Sequence, residues 1–169
     1  MTLHVEPLAE RHQVEAFRCG VPDLDEWLAR HAHGAAGHGT RTHVLTDRVG
    51  TRVLGYFAIA PHLVARDELP RSIGRGGPAR IPAILLAKLA LAAELQGEGL
   101  GNELLVHALR TIVRAARIAG GRLLVVDALD DGAAAFYRAR GFVDVPAGDR
   151  RLVLKLSTAA RLLGEPWPS

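Results

Sequence analysis

The sequence predicts a mixed α/β protein, with a sheet that pairs antiparallel in its first half and parallel in its second, and helices packed on it. Three observations predict this. Two strand-like runs, 42–46 and 53–60, flank a turn at Gly50 and form an antiparallel hairpin. Two further apolar runs, 84–93 and 123–126, are separated by a glycine-rich turn and a long amphipathic pattern. A helical crossover returns the chain in its original direction, so this second pair should lie parallel.

Taken in order, a short strand is expected at Leu3–Val5. Asp23 followed by Glu26 has the spacing of a capping box, with Pro22 just outside it. Leu24, Trp27, Leu28 and His31 then share one helical face. Gly34, Gly37 and Gly39 end that helix. The run 53–60 is apolar on both faces and reads as a central strand. Residues 66–80 form a Gly/Pro/Arg loop. After Gly101 comes a long helix with Leu105, Leu109, Ile112 and Ala116 buried. Glu103, His107, Arg110, Arg114 and Arg117 form its polar stripe. Gly120 and Gly121 stop it, and a strand ending at Asp127, a brief helix over 133–138 and a last strand over 151–156 follow.

At 169 residues the chain is long enough for one domain, 1–169, burying about 70% of its unfolded surface. Hydrophobic residues at 49% and charged residues at 23% exclude wholesale disorder. Cys19 is the sole cysteine, so a disulfide framework and a Cys-rich zinc site are excluded. The spacing of His31, His33 and His38 makes no metal site, and no metal is expected. No secretory signal opens the chain. Lys88 interrupts its most apolar stretch, 81–93, which falls short of the ~20 residues of a membrane span. A cytoplasmic protein with no membrane partner is expected. The net charge is +3, and 19 of its 21 basic residues are arginine, a bias that fits either phosphate partners or genome composition.

The sharpest feature is Gln96-Gly97-Glu98-Gly99-Leu100-Gly101-Asn102, between an apolar strand and the long helix. Glycines there admit close backbone approach, and the first turn of the helix presents N–H groups to an anion such as pyrophosphate. A plain strand-to-helix turn is the alternative. A P-loop would need Gly-Lys-Ser/Thr, and a dinucleotide fingerprint would need G-x-G-x-x-G; neither is present.

Gln96, Gly99 and Gly101 form Q-x-x-G-x-G, which resembles the pyrophosphate loop of the GNAT acyl-CoA N-acyltransferases. Asp130, Ala133, Phe136, Tyr137, Gly141 and Phe142 resemble that superfamily's N-x-x-A-x-x-x-Y-x-x-x-G-F. F-R-C-G-V-P-D-L-D-E-W-L, from Phe17 to Leu28, is similar to the opening of GNAT toxins from toxin–antitoxin pairs. So are the stretches 39–42, 54–60 and 81–90, and the likeness extends over nearly the whole chain. Arg18, Glu98 and Asp130 depart from the usual residues, as does Ala90-Leu91-Ala92-Ala93 at the end of the fourth strand.

The resemblance implies a mostly antiparallel sheet, a splayed parallel strand pair at its centre and helices on both faces. Acetyl-CoA would be the cosubstrate, with its pantetheine arm along Leu89, Ala90 and Leu91. Gln96, Gly97, Glu98, Gly99, Leu100, Gly101 and Asn102 would hold its pyrophosphate, and Asp130, Ala133 and Phe136 would flank it. Tyr137 would be the general acid. Its alternative is plain packing beside Phe136. The amine attacks directly, so a Ser nucleophile is not required, and Ser72, Ser157 and Ser169 sit in no such motif. Members of the toxin subgroup acetylate the α-amine of aminoacyl-tRNA. Their partners are ribbon-helix-helix antitoxins, and a homodimer is implied.

Arg71, Arg75 and Arg80 lie in a glycine-rich segment with no acid among them and would bind tRNA phosphates; a solvated loop explains them equally well. Arg110, Arg114 and Arg117 compete for that role. Two other functions stay open, a GNAT enzyme for a small-molecule or protein amine and an inactive acyl-CoA-binding or interaction module. Cys19 and Trp27 are expected to pack rather than to react or stack on bases.

Overall fold

The computed structural model describes residues 3–146 and 149–168, so the expected domain limits at 1 and 169, and Ser169, lie outside it. Its strands are β1 (His4–Pro7), β2 (Arg41–Thr46), β3 (Val53–Ala65), β4 (Arg80–Leu91), β5 (Leu123–Asp127), β6 (Val143–Asp144) and β7 (Arg151–Lys155). Its helices are α1 (Pro22–Arg30), α2 (Ala32–Ala35), α3 (Arg71–Gly74), α4 (Leu100–Ala119), α5 (Asp131–Arg138) and α6 (Leu156–Leu163). The hydrogen-bonded strand order is β1-β2-β3-β4-β5-β7-β6, a mixed sheet whose one parallel pair is β4–β5. The chain divides into two units. One comprises the chain up to Ala60 with Ala87–Ala108; the other comprises Pro61–Leu86 with the chain from Leu109.

In the first unit the expected hairpin is present, with Arg41 opposite Ile59 and Val44 opposite Tyr56. Residues 53–59 of β3 are buried throughout, as the doubly apolar pattern requires. The Ala92 N–H donates to the Leu54 carbonyl at 2.8 Å, tying the end of β4 to the start of β3. Phe17, Leu28, Val44, Tyr56 and Ala90 share one core. Tyr56 anchors it, making an edge contact with Phe17, stacking on Trp27 and donating its hydroxyl to the Leu24 carbonyl at 2.7 Å. Trp27 and Cys19 pack as expected.

The capping box does not form. Pro22 lies inside α1, and its cap residue, Val21, makes no side-chain hydrogen bond. Proline at the first helical position has no N–H to satisfy and a preset φ, so it starts the helix unaided. Asp25 instead accepts from the Cys19 N–H at 2.9 Å, outside the helix. The helical path also runs past Gly34 through α2 before Gly39 turns left-handed at φ 96°.

In the second unit β5 pairs with β7 antiparallel, Leu123 to Lys155 through Asp127 to Arg151, and β6 pairs with β7. Residues 66–80 are not a free loop. Leu69 and Ile73 are buried with Ile81, Val125 and Val153, and Ile73 lies within α3. The expected last strand stops at Lys155. Leu156, Ala159 and Ala160 are buried at helical spacing and start α6. β6 was not expected at all, since two residues carry no periodicity. On α4 the buried positions are Leu104, Leu105, Ala108, Ile112, Val113 and Ala116, a stripe wider than the expected one, with Leu109 only half-buried. No helix among the described residues is long and apolar enough to cross a membrane.

Candidate active site

The β4–β5 register runs from Ala83 opposite Leu123 to Leu86 opposite Val126, and β4 then continues to Leu91. Leu89, Ala90 and Leu91 therefore lie past the paired stretch. Ala92 gives its N–H to β3, and successive residues of a strand face opposite edges, so the Leu91 backbone groups face away from β3. The Leu91 carbonyl on that edge accepts from the Gln96 side-chain amide at 2.9 Å. Gly55 of β3 lets the two strands approach. A Cβ there would come within 3.1 Å of the Ala90 carbonyl and 3.3 Å of Leu104.

A short 3-10 turn, Ala93–Leu95, leads into the glycine segment. Gly97 and Gly99 take φ values of 87° and 83°, the left-handed region that only glycine enters without cost. Nothing lies within 4 Å of where a Cβ would sit on either, so they are required for backbone path and leave open space beside the loop. α4 follows at once, 20 residues long, with Leu100, Gly101 and Asn102 in its first turn, where N–H groups have no intrahelical acceptor. The Glu103 N–H already donates to the Gly99 carbonyl. The Glu98 carboxylate is exposed in this loop. Gln96 does not reach outward from it. Its amide spans the carbonyls of Leu91 and Cys19, a structural tie that the motif alone does not reveal.

In the second unit Asp130 caps α5, with Oδ1 accepting from the Ala133 N–H at 2.8 Å. Tyr137 is buried one turn on, its ring edge-on to Phe136 and to Phe142 with centroids 5.3 and 5.2 Å away. Burial raises its phenol pKa well above the ordinary value, so the hydroxyl stays protonated at neutral pH. Phe136 is half-buried, and the Arg140 guanidinium lies 3.7 Å over its ring.

Arg71, Arg75 and Arg80 are all exposed, at the start of α3, just after it, and at the start of β4. The polar stripe of α4 is different. Arg110, Arg114 and Arg117 converge on Glu165 at 3.8, 2.9 and 3.3 Å, which removes them as free phosphate ligands and clasps the C-terminal tail instead. Among the described residues no group of three metal-ligating side chains comes together.

No family model matches the chain. A tRNA-acetylating toxin of Mycobacterium tuberculosis is 35% identical over 158 residues, covering 94% of this chain and 95% of that protein. The chain belongs to the tRNA-acetylating toxin family. A probable toxin, TacT, of Sinorhizobium fredii is 29% identical over 95% of this chain and 94% of its own length. Among solved structures, AtaT complexed with acetyl-methionyl-tRNAfMet matches with a TM-score of 0.87 and 27% identity, covering 95% of this chain and 99% of that one. A tyrosine-to-phenylalanine variant of AtaT, bound to the C-terminus of the antitoxin AtaR and acetyl-CoA, matches at 0.80 and 25%, covering 96% and 99%. The fold expected from the sequence, a mixed and mostly antiparallel GNAT sheet, is that of these toxins.

One feature of this tRNA-acetylating toxin family member escaped the sequence. Arg151 binds Asp127 through two parallel hydrogen bonds of 2.7 and 2.9 Å and also lies 3.1 Å from the His62 Nε2. Desolvation and the Arg151 charge hold His62 below its usual pKa. The Arg151 hydrogen bond holds Asp127 below its own. Only the pairing of β5 with β7 could have placed these residues side by side. The thiol of Cys19, expected to pack rather than to react, is pushed up to about 11 chiefly by burial and so is unreactive at neutral pH.

Proposed function

We propose that this protein is an acetyl-CoA-dependent N-acetyltransferase that acetylates the α-amino group of aminoacyl-tRNA and thereby blocks translation, as the toxin of a toxin–antitoxin pair. The observation that carries the reading is the left-handed Gly97 and Gly99 pair at the head of the 20-residue α4, in a chain 35% identical to a tRNA-acetylating toxin. The AtaT structures with acetyl-methionyl-tRNAfMet and with acetyl-CoA support the same substrates here.

In this reading 1–169 is one acetyltransferase domain. The pyrophosphate of acetyl-CoA lies on the N–H groups of Gly97–Asn102 at the positive end of α4. Glu98 weakens that field, and its carboxylate points into solvent to accommodate the cofactor. The pantetheine arm adds to the free edge of β4 along Leu89–Leu91 as an extra strand would. Asp130, Ala133 and Phe136 flank it from α5. The Leu91 N–H polarises the thioester carbonyl and then holds the oxyanion of the tetrahedral intermediate.

The neutral α-amine attacks the carbonyl carbon, forming the C–N bond. The C–S bond breaks, the amine proton passes to water, and Tyr137 protonates the departing thiolate. Tyr137 can take this step because a phenol carries its proton at neutral pH, as the thiolate it would protonate needs. A free α-amine titrates near 7.7–8.0, about 2.5 units below a lysine, so a useful fraction is neutral without a dedicated base. Arg71, Arg75 and Arg80 contact the phosphates of the acceptor end.

An antitoxin of ribbon-helix-helix type, a homodimer and a cytoplasmic site of action complete the proposal; binding of AtaT to the C-terminus of its antitoxin supports an antitoxin partner. The test is transfer of labelled acetyl from acetyl-CoA to total aminoacylated tRNA, with deacylated tRNA as control. Label confined to charged tRNA is expected. Label on a small-molecule or protein amine instead would overturn the substrate, and no transfer to any amine would reduce the chain to a binding module.

A further inference from the structure

A cavity of about 160 Å³ opens in the second unit at the N-terminal end of β5. Ile81 and Leu123 form its floor, Arg122, Lys155 and Ser157 its rim, and Trp167 a wall. No carboxylate lines it, and among the described residues neither Arg122 nor Lys155 has an ion-pair partner. Lys155 is the cap residue of α6 and offers it no side-chain acceptor. The Leu156 N–H donates to the Arg122 carbonyl at 3.0 Å, and the N–H groups that follow it begin the helix without an intrahelical acceptor. Two cations and a positive helix end thus face one space.

Trp167 is held there by the clasp described above. Glu165 takes Arg114 and Arg117, and Arg117 also donates to the Pro166 carbonyl at 3.0 Å. Arg122 lies against the arginine segment. Its Nη1 is 2.7 Å from where a Cβ on Gly77 would sit, and Ile73 of α3 also borders the cavity. Arg71, Arg75 and Arg80 are exposed on the same unit.

The volume decides the class of ligand. It is well below the ~300 Å³ at which pockets for whole small molecules begin. It suits one phosphate and the edge of one base belonging to a strand that continues outside. We propose that this cavity is a nucleotide subsite for RNA, which grips a backbone phosphate between Arg122 and Lys155 and stacks the adjoining base on Trp167. It lies at the opposite end of β5 from Asp127, about 13 Å away at 3.3 Å per residue, so it contacts RNA away from the reacting amine. This rests on the tRNA reading given above.

The test titrates the protein with deacylated total tRNA at several salt concentrations and compares the Arg122→Gln/Lys155→Gln variant with an Arg48→Gln surface control. The double variant should bind at least tenfold more weakly at 0.1 M salt, and its log–log salt slope should fall by about one, the value for one lost phosphate contact, with no change for the control. In a Trp27→Phe background Trp167 is the sole indole, and its fluorescence should be quenched along the same isotherm. An unchanged slope, no quenching, or no tRNA binding by the wild type would overturn the subsite. The function reading is tested separately by acetyl transfer. A chain that loses slope in the double variant yet acetylates no aminoacyl-tRNA would keep the subsite and lose the substrate.

Discussion

The side-chain amide of Gln96 donates to the backbone carbonyl of Cys19 at 2.8 Å, across 77 positions of sequence. Its second N–H goes to Leu91. One planar group thus fixes the entry to the glycine segment against the end of β4 and against the loop ahead of α1. The F-x-C-G opening and the Q-x-x-G-x-G segment are two ends of one contact.

Gln96→Ala is accordingly expected to cost about 1–3 kcal/mol, because two carbonyls lose their donor. It should raise KM for acetyl-CoA by roughly tenfold while kcat falls less. Urea unfolding and steady-state kinetics check both. A variant with unchanged stability and KM would remove the tie as a positioning device.

Tyr137→Phe keeps the ring and its contacts with Phe136 and Phe142, so the fold and acetyl-CoA binding should persist. Turnover should fall by about 10²–10⁴, the usual range for loss of a general acid. Calorimetric acetyl-CoA titration beside single-turnover acetyl transfer separates the two effects. Wild-type turnover would return the residue to plain packing.

Gly99→Ala meets no atom within 4 Å, yet must hold φ near 83°. The expected cost is about 1–2 kcal/mol from backbone conformation alone. Acetyl-CoA affinity should fall further, since the methyl occupies the open space beside the loop. Thermal melts with and without acetyl-CoA measure this; the ligand-induced rise in Tm should shrink in the variant.

Stability should decline on acidification below about pH 6.5. His43 and His62 both have folded pKa values held below the usual 6.5, each chiefly by burial. A depressed histidine pKa means the unfolded chain binds more protons once pH drops through the unfolded value, so unfolding gains. Asp127, also depressed, adds to the loss at still lower pH as its carboxylate protonates. Urea midpoints at pH 7.5 and 5.5 should show the drop, and His62→Gln should flatten part of it. A flat profile in the wild type would contradict the assignment.

The hairpin, the central strand β3, the parallel β4–β5 pair and the long α4 were legible because each shows its periodicity or its punctuation locally. α6 was legible in principle, since Leu156, Ala159 and Ala160 have helical spacing, but the apolar run through Leu152 and Leu154 masked its start. The capping box failed for a local reason as well, because Pro22 starts α1 without any help from Asp23. Of the candidate site, the glycine segment and Tyr137 stood out as motifs, whereas the duty of Gln96 did not.

By itself the sequence determined the family, the glycine path into α4 and the tyrosine set into α5, because these depend on residue types at short fixed spacing. Tertiary structure decided which charges are engaged. Arg110, Arg114 and Arg117 look like a free basic stripe until the tail brings Glu165 onto them. Arg122 and Lys155, 33 positions apart, look unremarkable until they border one cavity with Trp167. The physical reason is range. Backbone conformation is set by neighbours along the chain, but an ion pair or a pocket is set by whatever the folded backbone brings within a few ångströms.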